Sequence, residues 1–354
     1  MRNYKIASIA GDGIGLEVMP AARRILDAVA RKHGFVLTYT DLPWSSQYYF
    51  DHGRMMPAGA IDTLRGFDAI FLGAVGHPDL PDHITLNGLL LPIRRAFDQY
   101  ANIRPAVLFE GVDSPLKGKA PGSIDMMVVR ENTEGEYAQV GGFVHHAHPG
   151  EVAIQTSVFT RMGCERIIRF AFELARKRNG RRLVTSITKS NAQGFSMVLW
   201  DRCFATVREQ YPEIETESLL VDAAAMNFVR RPESFDVVVA SNLFGDILSD
   251  ISAIVSGSIG LAASANLDPE RRYPSMFEPV HGSAPDIAGR GIANPLAMIL
   301  SGAMMLDHLG EAAAGAAVTH AVRQVLSAGQ FLPGDLGGRA GTAEIAEAVA
   351  SFLS

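Results

Sequence analysis

The sequence is poor in cysteine, which excludes a protein stabilised by a disulfide framework or by structural zinc sites. Only Cys164 and Cys203 occur among 354 residues, and neither belongs to a C-x-x-C pair or to a zinc-like cysteine–histidine spacing. Disulfide frameworks and structural zinc sites both need more such side chains than this chain has. Both cysteines lie in apolar segments with helical periodicity, so we predict buried thiols without a chemical role.

Excess positive charge and long apolar runs are also absent. The 32 Lys and Arg residues are outnumbered by 38 Asp and Glu, which gives a net charge of −6 and no basic tail for nucleic acid. No uninterrupted run of about 18 apolar residues, enough to cross a membrane, occurs. The opening MRNYKIASIAGDGIG leads directly into a predicted strand, without the apolar core of a signal peptide. We therefore expect a cytoplasmic protein that binds neither nucleic acid nor membrane.

What the chain does have is a regular alternation of short apolar strands and amphipathic helices. This alternation is typical of an α/β protein with a mostly parallel sheet and flanking helices. At 354 residues the chain is long enough for two domains. The pattern predicts strands over 4–10, 67–72, 126–129, 183–187 and 237–240, and helices over 15–32, 162–178, 194–210 and 252–265.

Residues 139–158 break this alternation. The segment is rich in Gly, His and Val, which favours a β-ribbon or a protruding arm over another strand–helix unit. An apolar arm leaves an exposed strand edge unless a partner covers it. We therefore expect an oligomer.

A pair of aspartates, Asp246 and Asp250, gives the clearest sign of chemistry. They lie four residues apart in FGDILSD, so a helix would place both on one face. A third candidate, Asp222, occurs in LLVDAAAMNFV. Clustered carboxylates are the ligands that Mg²⁺ and Mn²⁺ prefer. Taken alone, the pair is better explained as a solvated helix face or an N-terminal capping pair.

Two glycine-bearing loops could approach a nucleotide. GDGIGLE at 11–17 matches neither the G-x-G-x-x-G dinucleotide fingerprint nor the phosphate loop, so we reject a Rossmann interpretation. The second loop, FEPVHGSAPDIAGRGIANP at 277–295, is long enough to be functional. Its Asp286 could accept both hydroxyls of an adenosine ribose and would repel a 2′-phosphate.

Several further side chains suit an acidic substrate. Arg94, Arg104 and Arg130 lie in separate predicted elements and could together bind a di- or tricarboxylate. For any one of them alone, a surface ion pair is the better explanation. Tyr137 and Lys189 add a candidate acid and a candidate base, and a nearby cation would lower the pKa of the lysine.

The order of these motifs resembles the β-decarboxylating dehydrogenase family, which includes isocitrate, 3-isopropylmalate, D-malate and tartrate dehydrogenases. GDGIGLE, DQYANIRP, VREN followed by EGEY, TKSN, VDAAAM, NLFGDILSD and EPVHGSAPDIAGRGIANP recur across essentially the whole chain. The resemblance implies a two-domain, non-Rossmann, isopropylmalate-dehydrogenase-like α/β fold. Residues 1–100 and 255–354 would form the larger, cofactor-binding domain. Residues 101–254 would form the smaller domain, with dimerisation helices and the arm at about 139–158.

The resemblance also implies roles for individual residues. The three arginines would bind the substrate carboxylates, Tyr137 would protonate the enol, and Lys189 would take the proton of the 2-hydroxyl. Lys189 and Asp222 would reach into the site of a partner subunit, which implies a homodimer with shared active sites. The implied cofactors are NAD, Mg²⁺ or Mn²⁺, and K⁺ as a candidate further cation. The metal ligands would be Asp222, Asp246 and Asp250, and the adenosine pocket His281, Gly282, Ser283, Ala284, Asp286, Ile287 and Asn294.

The predicted substrate is a small 2-hydroxy dicarboxylate, oxidised and decarboxylated. ITLNGLLLPIRR places Asn87 and Leu90 just before the first arginine, where substrate choice is made in the resembled family. WSSQYYFDHGRMMP at 44–57 resembles the D-malate and tartrate branch, although that branch tends to carry a tryptophan where Asn87 stands. A hydrogen-bonding amide there favours a hydroxylated substrate. 3-Isopropylmalate is the alternative, and a non-catalytic regulatory subunit is a remote one.

Overall fold

The computed structural model describes residues 2–353 and is built around one large sheet. In this range the strands are β1 Arg2–Gly11, β2 Phe35–Asp41, β3 Ala69–Ala74, β4 Ala101–Val107, β5 Asp125–Glu131, β6 Gly135–Val144, β7 Val152–Val158, β8 Leu183–Thr188, β9 Glu215–Leu220, β10 Val237–Ala240, β11 Ala263–Leu267 and β12 Ser275–Pro279. The helices are α1 Gly15–His33, α2 Ser46–His52, α3 Ala60–Leu64, α4 Asp82–Thr85, α5 Leu91–Ala96, α6 Arg161–Arg178, α7 Ser196–Arg208, α8 Val221–Arg230, α9 Asn242–Val255, α10 Leu296–His308, α11 Ala312–Ala328 and α12 Thr342–Ser351.

Ten strands form the central sheet in the order β2-β1-β3-β12-β11-β4-β5-β10-β8-β9. Pairing is parallel at both ends, and only the neighbours of β11 and the β4–β5 pair are antiparallel. This order differs from the 3-2-1-4-5-6 order of a Rossmann sheet. The predicted fold, a mostly parallel, non-Rossmann α/β sheet with flanking helices, is confirmed.

The strands of the sheet bury side chains on both faces, as the alternation of side chains along a strand requires. On β3, Phe71 belongs to the larger apolar core, together with residues of α1 and α10. Its neighbours Ile70 and Leu72 point the other way, into a smaller cluster with Leu89 and Ile93. The second face carries α5 and α9, and the cluster of arginines and carboxylates described below lies there.

Strands from different parts of the sequence occupy different ends of the sheet. The five strands β2, β1, β3, β12 and β11 come from residues before 100 and after 255. The five strands β4, β5, β10, β8 and β9 come from the middle of the chain. Strands from the two ends of the chain therefore occupy one half of the sheet and strands from the middle occupy the other half, and the two halves meet where β11 pairs with β4.

The segment that interrupts the strand–helix alternation is a separate two-stranded antiparallel ribbon of β6 and β7. Val144 lies opposite Val152, and Phe143 lies opposite Ala153. Phe143 is 64% exposed and Ile154 is 54% exposed, so the ribbon carries apolar side chains into solvent.

The predicted helix over 252–265 is wrong beyond its first turn. Helix α9 ends at Val255, a 3₁₀ turn spans Ile259–Leu261, and β11 begins at Ala263. Small apolar residues have no marked period, and pairing with β4 and β12 makes this segment a strand. The thiols of Cys164 and Cys203 are both buried and free, as predicted. Within residues 2–353 we find no helix that is long and apolar enough to span a membrane.

Candidate active site

Helix α9 places Asp246 and Asp250 one turn apart beside β4 and β5. Its first residues are held by Glu136, whose carboxylate accepts hydrogen bonds from the Ser241 hydroxyl at 2.9 Å and the Leu243 amide at 3.1 Å. A carboxylate at a helix amino terminus satisfies free N–H groups and complements the helix dipole. Glu136 therefore fixes the start of the helix that carries both aspartates.

Asp246 is the centre of the cluster. One of its oxygens accepts hydrogen bonds from Arg130 and, at 3.2 Å, from Arg104, while the other accepts from the Tyr137 hydroxyl at 2.9 Å. Burial alone would raise the pKa of Asp246, but the charges of Arg130 and Arg104 outweigh it and hold the pKa below its usual range. Asp250 lies farther out, 3.6 Å from Arg104, and its pKa is raised by burial.

Arg104 and Arg130 lie on the adjacent strands β4 and β5, and both are buried. Arg104 also donates to the Ser249 hydroxyl at 2.7 Å. Arg130 makes a two-pronged contact with the Asn242 side-chain oxygen at 3.0 and 2.7 Å. Burial lowers the pKa of Arg130 to about 10, so the guanidinium remains charged at neutral pH.

Arg94 reaches the same face of the sheet from α5. It is buried and donates to Glu278 on β12 at 2.6 Å, and Glu278 accepts a second hydrogen bond from Asn266 at 2.8 Å. Glu278 lies within the FEPVHGSAPDIAGRGIANP motif, but no role for it was predicted from the sequence. The feature that could have identified Glu278 is its place in FEP, at the end of a buried strand, because a buried carboxylate needs a charged partner.

Tyr137 lies on β6 beside this cluster. Its hydroxyl donates to Asp246, and its ring centre is 5.3 Å from the guanidinium carbon of Arg130. Burial and the charge of Asp246 raise the pKa of Tyr137 to about 12. The phenol therefore holds its proton at neutral pH, as a proton donor must.

Lys189 and Asp222 form a separate pair. Lys189 follows β8, Asp222 lies in the first turn of α8, and their side chains are 2.7 Å apart. The hydrogen bond from Lys189 lowers the pKa of Asp222. In the part of the chain that the structure describes, no three His, Cys, Asp or Glu side chains are placed to hold one metal ion. Asp222 is thus not assembled with Asp246 and Asp250 within a single chain.

The two glycine loops identified in the sequence pack against each other. The Ile14 amide donates to the Ser283 carbonyl at 2.9 Å, and Gly13 has a φ of +52°. A Cβ atom at Gly13 would lie only 2.1 Å from the Ser283 oxygen. Only glycine permits this approach, which joins the first loop to the 277–295 loop.

The 277–295 loop between β12 and α10 presents several polar groups. His281 has its pKa lowered by burial, and its Nε2 has no hydrogen-bond partner among residues 2–353. Asp286 is exposed, and Ala284 has a φ of +41°. Asn294 differs, because its amide donates to Asp335 at 3.0 Å and its oxygen accepts from the Leu296 amide at 3.0 Å. Gly282 is exposed, and Ile287 is half-buried.

The predicted substrate-selecting residues lie in a π-helical turn over Leu86–Leu90, which leads into α5. The Asn87 amide donates to the His83 carbonyl at 2.7 Å, so its side-chain oxygen remains for another donor. Leu90 is buried in the smaller apolar cluster with Leu89 and Ile93. The substrate roles of Asn87 and Leu90 stay predictions.

The sequence matches the profile of isocitrate/isopropylmalate dehydrogenases over residues 5–349. This chain belongs to that family. It is 52% identical to the D-malate dehydrogenase [decarboxylating] of Escherichia coli over 360 residues, covering 100% of this chain and 99% of the relative. It is also 52% identical to a "Probable tartrate dehydrogenase/decarboxylase" of Bacillus subtilis over 355 residues, with the same coverage. The crystal structure of isocitrate dehydrogenase from Methylococcus capsulatus superposes with a TM-score of 0.88 at 37% identity, covering 99% of both chains.

Dehydrogenases of the isocitrate/isopropylmalate family generally use NAD and a divalent metal ion, and this chain has donors that fit both. Asp246 and Asp250 offer adjacent carboxylate oxygens, the hard ligands that Mg²⁺ and Mn²⁺ take. The side chain of Asp250 is 58% exposed, so its oxygens are accessible to an ion. Two groups suit an adenosine. The free Nε2 of His281 can donate or accept a hydrogen bond, and the exposed carboxylate of Asp286 can accept one.

Proposed function

We propose that this chain is an NAD-dependent and divalent-metal-dependent dehydrogenase that oxidises and decarboxylates D-malate, tartrate or both. The observation that carries this proposal is that Arg104 and Arg130, bound to Asp246, lie on the same face of the sheet as Arg94, bound to Glu278. Relatives at about half identity over the full chain, named for D-malate and tartrate, support the choice of substrate.

In this proposal each side chain has a distinct task. The arginines bind and orient the substrate carboxylates, because their planar groups match carboxylate geometry. Lys189 takes the proton of the 2-hydroxyl, and Tyr137 delivers its phenolic proton to C3 after CO₂ leaves. Asp246 and Asp250 would hold the divalent cation, whose chemistry would be Lewis-acid activation of the substrate, and the 277–295 loop would hold NAD⁺, whose chemistry would be that of a hydride acceptor.

The charge balance of the cluster supports a doubly charged substrate beside a divalent cation. The three arginines face three carboxylates, those of Asp246, Asp250 and Glu278. A dicarboxylate that bound alone would be repelled by the negative charges of the aspartates. A cation that bound alone would be repelled by the positive charges of the arginines. Together they add no net charge, and we therefore expect them to bind cooperatively.

We further propose a homodimer in which Lys189 and Asp222 complete the site of the second copy. The support is that Asp222 is not assembled with the other two aspartates within one chain. Helices α8 and α9 also expose apolar side chains, with Met226 at 64% and Ile247 at 50%. Together with the apolar ribbon of β6 and β7, these surfaces suit burial against a second copy.

The division into domains is likewise a proposal. We propose that residues 1–100 and 255–354 form the larger, cofactor-binding domain and residues 101–254 the smaller one. Segregation of the strands at the β11–β4 contact supports it. Small-angle scattering with and without NAD⁺, Mn²⁺ and substrate tests it, because closure of two bodies reduces the radius of gyration. An unchanged radius with all ligands bound counts against two moving domains.

The test of function is NADH production with Mn²⁺ and K⁺ present. The values of kcat/KM are compared for D-malate, the tartrate isomers and 3-isopropylmalate. Preference for D-malate or a tartrate supports the proposal, whereas a clear preference for 3-isopropylmalate overturns the substrate assignment. Omission of K⁺ shows whether a monovalent cation is needed. EDTA should abolish turnover and Mn²⁺ or Mg²⁺ should restore it, so turnover without metal would overturn the metal assignment.

A further inference from the structure

A cavity of about 630 Å³ lies behind the candidate active site, on the opposite face of the central sheet. On β4, Ile103 and Pro105 line this cavity, whereas Arg104 between them points to Asp246 on the other face. On β12, Phe277 lines the cavity, and the next residue, Glu278, binds Arg94. Because side chains alternate along a strand, the floor of the cavity and the active site share the same strands. We call it the rear cavity.

The floor of the rear cavity is an uncovered part of the sheet centre. Ile103, Pro105 and Val107 on β4 and Met127 on β5 are only half-buried, although both strands lie in the middle of a ten-stranded sheet. Helices normally cover both faces of such a sheet. Here α6 forms one wall and α10 with α11 forms the other, and the two walls do not close over the strands. The result is a concave apolar surface open to solvent.

The lining of this apolar cavity carries unpaired positive charge. Arg271 and Arg323 both line it, and neither has a carboxylate within 4 Å anywhere in residues 2–353. The two acidic lining residues are each paired with a cation: Glu173 lies 3.3 Å from Arg176, and Asp307 lies 3.8 Å from Lys177. Local positive charge on a chain of net charge −6 favours an anionic ligand.

His308, also in the lining, contributes a neutral polar group. Its burial, together with the charge of Arg271, lowers the pKa of His308 to about 4. The imidazole is therefore uncharged at neutral pH and can donate or accept one hydrogen bond at each nitrogen. The unpaired positive charge of the lining thus resides on Arg271 and Arg323.

We propose that the rear cavity binds a medium-chain carboxylic acid. The apolar chain lies on Ile103, Pro105 and Met127, and the carboxylate is held by Arg323, whose guanidinium lies beside the Phe109 ring. The volume lies within the range of about 300 to 1,000 Å³ that small-molecule sites occupy. A hydroxy dicarboxylate has too little apolar surface for this floor, so the rear cavity is distinct from the substrate site. A bound acid would touch α6 on one side and α10 or α11 on the other.

The experiment is calorimetric titration of the full-length chain with decanoate below its micelle-forming concentration. Ala313 and Ala316 are both exposed on α11, but only Ala316 lines the rear cavity, so Ala316→Trp places an indole ring in the cavity and Ala313→Trp does not. Arg323→Gln removes the charge proposed to hold the carboxylate, and Arg208→Gln removes an exposed arginine outside the lining. These paired variants match helix position and charge, and the readout does not depend on NAD⁺, metal or turnover.

We expect saturable binding of decanoate and much weaker binding of butanoate, which has the same charge and a short chain. Ala316→Trp should weaken decanoate binding at least tenfold, and Arg323→Gln about fivefold or more, with both controls unchanged. Absence of saturable binding, or equal affinity in Ala316→Trp and Ala313→Trp, overturns the proposal. If the rear cavity is instead covered by another copy of the chain, Ala316→Trp lowers the molar mass by light scattering, and the proposal also fails.

Discussion

Mixing two inactive variants tests whether the active site is shared between subunits. Lys189→Ala removes the proposed base, and Asp250→Asn removes a proposed metal ligand. In the structure Lys189 pairs with Asp222 at 2.7 Å, and this pair is not assembled with Asp246 and Asp250 into a metal-binding group. If Lys189 acts in the neighbouring copy, a mixed dimer retains one site in which both residues are intact.

The expected magnitude follows from counting intact sites. Each single-variant homodimer has two damaged sites, and loss of a general base or acid costs roughly 10²- to 10⁴-fold. A mixed dimer of Lys189→Ala with Asp250→Asn has one undamaged site, so its kcat per dimer should reach about half that of wild type. Both substitutions are at accessible positions, since the side chains are 27% and 58% exposed, and we expect both variants to fold.

The assay uses co-expression with two affinity tags, purification on both tags in turn, and NADH production with Mn²⁺. The matched control is Lys189→Ala with Asp222→Asn. These residues act from the same side, so that mixed dimer has two damaged sites and should stay inactive. The reasoning is refuted if the Lys189→Ala and Asp250→Asn mixed dimer is no more active than either homodimer.

Three further predictions concern the buried carboxylates and the cofactor loop. Glu278→Gln leaves Arg94 without its charged partner, so KM for the substrate should rise about tenfold with a smaller change in kcat, because a hydrogen bond to a charged group contributes about 1.5–3 kcal/mol. Burial raises the pKa of Glu131 to about 7, so the folded chain binds this proton more tightly than the unfolded chain. The stability that protonated Glu131 contributes is therefore present at low pH and is lost as pH rises through about 4.5 to 7. Between pH 5 and pH 8 the free energy of unfolding of Glu131→Gln, measured with urea, should therefore rise by about 1–3 kcal/mol relative to that of wild type. NAD⁺ should be preferred over NADP⁺ at least tenfold in kcat/KM, and Asp286→Ser should reduce that preference.

Each of these has an outcome that would contradict it. An unchanged KM in Glu278→Gln would mean that Arg94 is positioned by packing alone. A stability difference between wild type and Glu131→Gln that is equal at pH 5 and pH 8 would show that this carboxyl titrates normally. Equal use of both cofactors by wild type would remove the ribose argument for Asp286, and Asp79→Ser, at another exposed aspartate, is the control for lost surface charge.

The elements with strong periodicity were predictable from the sequence, and those decided by pairing were not. The strand Val237–Ala240 and helix α6 lie where the apolar pattern indicated them. The strand Ala263–Leu267 has no β-branched residue and reads as part of an apolar helix. Its conformation depends on β4 and β12, with which it forms antiparallel ladders. Local pattern holds no information about such partners.

In the site, likewise, local spacing was predictable from the sequence, but contacts between distant residues were not. The spacing of Asp246 and Asp250 predicts that they share a helix face, and they do. The sequence could not predict that Arg130, 116 residues away, donates to Asp246, or that Glu278 is the partner of Arg94. Those contacts depend on the order of strands in the sheet. Glu136, which holds the start of α9, was missed because its role depends on a helix 105 residues later.

The position of β12 beside β3 has a consequence for synthesis of the chain. Strand β3 ends at Ala74, but its parallel neighbour begins at Ser275, so its edge is unpaired until about 200 further residues have been made. At ribosomal rates of about 5–20 residues per second, that interval is roughly 10 to 40 s. The nascent β1–β3 segment, buried on both faces in the finished fold, must spend this time as exposed apolar surface. We expect newly made amino-terminal fragments to bind chaperones, and chains truncated before residue 275 to aggregate.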